Sequence, residues 1–117
     1  MNDFTVELVP CAVDGVAILR PTGSIDAAAA PVLESHFKSL YDQNNFRIVV
    51  DFSKAEFISS AGIGIFLGSV SLLRDSGGDI MFMNVPQHID EVFDVINVKS
   101  FFTTIENIDE IEATARS

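Results

Sequence analysis

Tryptophan is absent from the 117 residues and cysteine occurs once, at Cys11. A lone thiol can form neither an internal disulfide nor a multi-thiolate metal site, and such sparse usage suits a reducing compartment. Positive charge is also scarce. Seven Lys and Arg stand against 17 Asp and Glu, a formal net charge of −10. That excess repels phosphate backbones and anionic headgroups, which argues against a nucleic-acid or membrane-surface binder. Long hydrophobic runs are missing too: the most apolar stretch, Ala61 to Leu67, is broken by Gly62 and Gly64 and soon reaches Ser69, Ser71 and Arg74. A membrane span needs about 20 apolar residues. The start, Met1-Asn2-Asp3-Phe4, has no basic region followed by an apolar run, so no signal peptide and a cytoplasmic location are expected.

What is present is enough for a core. Hydrophobic residues make up 48%, too many for a disordered acidic tail. The length suits one domain over residues 1–117, and no repeat or low-complexity linker divides it. Phe4 to Val9 and Val16 to Arg20 read as strands about the Asp14-Gly15 turn. Thr22-Gly23-Ser24-Ile25-Asp26 reads as punctuation, with Asp26 as N-cap of a first helix. Leu33, Phe37, Leu40 and Tyr41 form that helix's apolar face, Pro31 falls in its first turn, and Asp42 to Asn45 ends it.

Arg47 to Phe52 is a near-continuous apolar run, as expected of a strand covered on both faces. Ile63, Phe66, Leu67, Val70 and Leu73 mark a second helix, stopped by Ser76-Gly77-Gly78. Ile80 to Val85 reads as a strand, and after Pro86 the spacing of Ile89, Val92, Phe93 and Ile96 predicts a third helix. Phe101 to Ile105 reads as a last strand and Asp109 to Ala115 as a short helix. Strands alternating with helices imply an α/β fold with βαβ crossovers.

The stretch richest in chemistry is Asp51-Phe52-Ser53-Lys54-Ala55-Glu56-Phe57-Ile58-Ser59-Ser60-Ala61-Gly62-Ile63-Gly64. A buried strand ends, a short loop follows, and two hydroxyls arrive at a glycine-rich helix start. Free N–H groups there favour an anion, so a serine could cap the helix, bind phosphate or carry it. Gly62, Gly64 and Gly68 each lower helix propensity by roughly 1 kcal/mol relative to alanine, which suggests close approach to a neighbouring element or a partner. Asp51 is most simply a strand end that orders the loop after it. His36 and His88 lack ligand spacing and read as solvated, and Cys11 as a small strand or turn residue. Neither a Gly-x-Ser-x-Gly elbow nor a phosphate-loop pattern is present, so no catalytic residue, metal or cofactor is assigned.

Taken in order, Thr22 to Asp26, Ile48 to Phe52, Phe57 to Gly64, and Gly77-Gly78 with the strand Ile80 to Val85 resemble the STAS domain of bacterial anti-sigma factor antagonists, over nearly the whole chain. The resemblance implies a central mixed sheet of four to five strands with about four helices packed against it. It also implies a partner switch. The unphosphorylated domain binds an anti-sigma factor that is itself a serine kinase of the GHKL type, and the sigma factor is released. Phosphorylation switches that binding off, and a PP2C-type phosphatase resets it. The family's loop usually reads Asp-Ser-Ser/Thr-Gly; anchored on Gly62, the phosphorylated hydroxyl falls on Ser60, with Ser59 as second choice. Ser59 then replaces the usual Asp, and Ala61 the second hydroxyl. The implied partner-binding residues are Asp26, Phe57, Ser59, Ser60, Gly62, Ile63 and Gly64. A scaffold subunit of a stress-signalling complex, or an accessory subunit of a lipid ABC transporter, is the alternative within the same resemblance.

Overall fold

Ile48, Val49 and Val50 have no exposed surface at all, because their strand lies in the middle of a sheet covered on both sides. A computed structural model describes residues 4–11 and 13–111. In chain order it contains β1 (Thr5–Val9), β2 (Val16–Ile25), α1 (Ala30–Asp42), β3 (Arg47–Asp51), β4 (Ala55–Ile58), α2 (Ser60–Asp75), β5 (Asp79–Met83), α3 (Gln87–Ile96), a 3-10 turn (Lys99–Phe101) and β6 (Thr103–Ile105). The sheet runs β1-β2-β3-β5-β6, with β4 paired to the far end of β2. β1 is antiparallel to β2 and all other pairs are parallel.

Helices α1, α2 and α3 lie on one face. Leu33, Phe37 and Leu40, then Ile63, Phe66, Val70 and Leu73, then Ile89 and Phe93, join one buried cluster with Leu19, Ile48, Val50, Phe52 and Phe82. With no tryptophan available, phenylalanines fill its centre. The Phe52 ring meets Phe82 edge-on at 4.8 Å, and Phe82 stacks on Phe102 at 4.5 Å. On the other face Val16, Ile18, Val49, Met81 and Ile105 are covered by Ile111, with Ile108 and Cys11 packed alongside.

Several expectations shift. The sheet has six strands because Ala55–Ile58, read as loop, is β4. Thr22 to Ile25, read as punctuation, continues β2, which trades partners along its length. Val16 to Leu19 pair with β3, and Gly23 to Ile25 pair with β4 after an irregularity at Gly23/Ser24. The final strand is shorter than the expected Phe101 to Ile105, since Phe101 belongs to the 3-10 turn. The last helix is present as a turn at 109–111, and its remainder lies outside the described residues. Pro31 does sit in the first turn of α1. Asp26 is not that helix's N-cap, which is Ala29. Its carboxylate instead accepts the N–H groups of Ala28 and Ala29 at 3.1 and 3.0 Å, capping a separate turn just upstream. His36 is half-buried, and His88 is exposed with its Nε2 2.7 Å from the Glu56 carbonyl oxygen, tying α3 to β4.

Among the described residues no helix is long and apolar enough to cross a membrane.

Candidate functional site

β4 delivers the chain to the N-terminus of α2 beside the end of β2. The Ser59 N–H donates to the Ile25 carbonyl at 2.9 Å, anchoring the helix start to that strand. Ser59 is the N-cap: its backbone is extended and its Oγ accepts the Gly62 N–H at 3.3 Å. Its carbonyl accepts the Ile63 N–H at 3.0 Å. Two of the helix's orphan donors are thereby satisfied, and those of Ser60 and Ala61 have no acceptor among the described residues. Ser60 is the first helical residue, is exposed, and makes no side-chain hydrogen bond among the described residues. No acidic residue lies in the first turn of α2, so the helix supplies no charge of its own against the positive end of its dipole.

Gly62 explains how the helix comes so close. A Cβ there would lie 2.7 Å from Ile25 Cγ2 and 2.8 Å from the Ile25 carbonyl oxygen, well inside van der Waals contact. Gly64 and Gly68 are different: a Cβ at either meets nothing within 4 Å. Gly62 therefore serves the fold, whereas Gly64 and Gly68 keep an outer surface low.

The residues singled out from sequence divide accordingly. Ser60 and Gly64 are exposed, Phe57 is 49% exposed on β4, and Asp26 is half-buried directly after Ile25, at the same end of the sheet. Ser59 is half-buried in its cap role. Ile63 and Gly62 correct the expectation, because both are buried. Ile63 is 3% exposed, its side chain in the helix-side core, and neither offers a partner a surface.

The loop before this site is held by Asp51, through partners that sequence reasoning missed. Asp51, 3% exposed, accepts Arg20 Nε at 3.0 Å on one oxygen, and on the other Asn84 Nδ2 at 3.1 Å and the Ser53 N–H at 3.0 Å. Burial pushes the Asp51 carboxyl up, but the Ser53 backbone, Asn84 and Arg20 hydrogen bonds outweigh it and hold the pKa below the usual carboxylate range. Arg20 reaches on to Glu7 at 3.2 Å. The loop-ordering role read for Asp51 is thus present. Its partners, 31 and 33 residues away in sequence, carry no local signal.

Among the described residues the two hydroxyls hydrogen-bond no basic or acidic side chain, and no group of three potential metal-ligating side chains occurs. The arrangement offers an exposed hydroxyl at a helix start whose first turn carries no acidic residue.

Residues 11–111 match the family model described as STAS domain. The chain is 30% identical over 103 residues to BtrV of Bordetella bronchiseptica, named as a candidate anti-sigma factor antagonist, covering 88% of each chain. Its fold is similar to that of Thermotoga maritima TM1081, likewise titled a candidate anti-sigma factor antagonist, with a TM-score of 0.81 at 19% identity over 97% of this chain and 95% of the other. It is also similar to the Bacillus cell-fate determinant SpoIIAA in its phosphorylated form, with a TM-score of 0.69 at 19% identity over 95% and 98%.

Proposed function

We propose that this chain, which belongs to the STAS domain family, is an anti-sigma factor antagonist: a non-enzymatic cytoplasmic regulator that binds an anti-sigma factor through the N-terminal end of α2. The observation that carries this is Ser60, an exposed hydroxyl opening a helix whose first-turn amides and dipole await an anion. Its partner is an anti-sigma factor that is also a GHKL-type serine kinase; it phosphorylates Ser60, and a PP2C-type phosphatase removes the phosphate.

A phosphoserine carries about −1.5 to −2 charge at neutral pH. Beside the open amides of Ser60 and Ala61 that charge is tolerated by its own chain, so the fold survives. The penalty falls on the complex, where a surface that held a small hydroxyl must accept a bulky, solvated dianion. About 3 kcal/mol of such coupling weakens the partner roughly a hundredfold, sufficient for a switch. Ser59 is spoken for as the cap, which favours Ser60 as the acceptor.

The test is to incubate the protein with its cognate kinase and ATP and map the phosphate by mass spectrometry. Wild type is expected to be modified at Ser60, Ser60→Ala unmodified, and Ser60→Glu to bind the anti-sigma factor much more weakly. Equal phosphorylation of Ser60→Ala moves the acceptor to Ser59, and co-purification with transporter subunits instead of a kinase refutes the reading.

A further inference from the structure

Ser60 is one end of a longer surface. Between Glu56 and Arg74 the chain has no ionisable side chain, although 24 of its residues are charged (7 + 17). Ser60, Gly64, Gly68 and Leu72, each four residues on, are all exposed and so form a continuous outward stripe along α2. An uncharged exposed helix face on so acidic a protein has the charge depletion of an interface core.

The stripe runs into a groove of about 480 Å³ between α1 and α2. Phe37 and Tyr41 line one wall, Ile65 and Leu72 the other, and Leu72 is 49% exposed. Gly64 and Gly68 keep it open, because no side chain rises from them and nothing lies within 4 Å of where one would start. The Tyr41 hydroxyl is 3.0 Å from Ser76 Oγ, so that wall is tied to the far end of α2 and does not depend on an occupant. Along the α1 rim stand Glu34, Lys38 and Asp42, alternating in sign at helical spacing. The two carboxylates lie eight residues apart, about 12 Å along the helix.

We infer that this groove is the second half of the anti-sigma factor docking surface, and that it takes an amphipathic helix of that partner. The helix lays an apolar face over Gly64 and Gly68 and places Lys or Arg, seven or eight residues apart, against Glu34 and Asp42. The inference rests on the proposed function above. Continuity with the Ser60 surface and the charge pattern of the rim decide the occupant. Without Cβ atoms at Gly64 and Gly68, a second helix can approach α2 at the short end of the 8–10 Å range of packed helices. A second copy of this chain would bring together two proteins of net charge −10 and offers only Lys38 on its own rim for the two carboxylates, so it is disfavoured.

The experiment compares wild type with Gly68→Gln, Leu72→Asp and Glu34→Lys/Asp42→Lys, titrating each with the anti-sigma factor kinase used in the Ser60 assay. Gly68→Gln blocks the groove where the structure leaves room for a side chain, so melting no lower than wild type certifies the fold. Groove variants should bind at least about tenfold more weakly, as loss of a central contact does. The double charge reversal should lose affinity most at low salt. If wild type binds and Ser60→Glu abolishes binding, but all three groove variants match wild type, the groove inference is overturned and the proposed function stands. If wild type does not bind the kinase, both fall. If the groove variants change the sedimentation of the protein alone and leave partner affinity intact, the occupant is a second copy and the inference is wrong.

Discussion

The three glycines of α2 should respond oppositely to the same substitution. In Gly62→Ala the new methyl arrives 2.7 Å from Ile25 Cγ2 and 2.8 Å from the Ile25 carbonyl oxygen, against an ordinary limit near 3.4 Å. The side-chain methyl could rotate away, but the carbonyl cannot: it is backbone within β2 and accepts the Ser59 N–H at 2.9 Å. The start of α2 must therefore move off the sheet by a sizeable fraction of an ångström, weakening that hydrogen bond and the packing of Ile63. Overpacking of this kind costs about 1–3 kcal/mol, and the strained hydrogen bond adds up to about 1. Helix propensity returns at most about 1 kcal/mol, so the net loss is roughly 1–3 kcal/mol. Gly64→Ala and Gly68→Ala meet nothing within 4 Å and should keep the propensity gain, each stabilising by about 0.5–1 kcal/mol. Calorimetry or urea denaturation reads both signs. At a few degrees per kcal/mol, Gly62→Ala should melt several degrees below wild type and the other two slightly above. Gly62→Ala melting at or above wild type, or Gly64→Ala melting well below it, would refute the division of these glycines into one that serves the fold and two that serve the surface.

Two further outcomes test the supports of the site. Asp51 has a folded-state pKa below its unfolded value, so its contribution is fully present above about pH 4 and is lost as pH falls through the lower folded value. In urea titrations Asp51→Asn should therefore be less stable than wild type at neutral pH, with the gap closing in acid; a pH-independent gap would show that the carboxylate charge is irrelevant. Ser59→Ala removes the α2 cap and should cost about 1 kcal/mol, whereas Ser59→Asp keeps an acceptor for the Gly62 N–H and adds about 0.3–1 kcal/mol from the helix dipole. Equal denaturation midpoints for Ser59→Ala and wild type would remove Ser59 from its capping role.

Where the sequence was readable, the signal was local and periodic. The apolar face Leu33, Phe37, Leu40 specified α1, and the run at Ile48 to Val50 announced a strand buried on both sides. The serine pair before Gly62 marked a helix start. What escaped depended on distant partners. β4 is four residues long, two of them exposed, and it becomes a strand only by pairing with Gly23 to Ile25. The same pairing turns Gly23 to Ile25 from apparent turn residues into strand, and Thr22 joins them by pairing with Thr5 of β1. Pro21 gave no warning either way, because it faces Val6 of the edge strand β1 at the point where β2 passes beyond its pairing with β3. Asp26 carries capping chemistry, and only the three-dimensional course of the chain shows that it closes a turn one step before α1. Ile63 fits a docking residue by position, yet Gly62 draws α2 so close to Ile25 that its neighbour is pulled into the core.

Ser59 joins these points into an account of the proposed switch. In the loop pattern that the family resemblance implies, an aspartate stands at this position, whose carboxylate would cap the helix and place one negative charge beside the proposed acceptor hydroxyl. Here the cap is made by a neutral hydroxyl, the first turn of α2 has no acidic residue, and no ionisable side chain occurs until Arg74. Phosphate on Ser60 would thus change the charge of this helix start from zero to about −2, where an aspartate cap would have it change from −1 to about −3. Capping survives the replacement because it requires only an acceptor oxygen within reach of the Gly62 N–H. What changes is the resting surface. In the proposed complex the partner would meet a glycine-flattened helix face without charged side chains on an otherwise strongly acidic protein, so attraction to basic residues would come from the flanks, such as Glu34 and Asp42, and the centre would be read by shape and apolar contact. In the proposed switch, phosphorylation of Ser60 would put a dianion where that complex excludes water, which is where charge is most costly to bury.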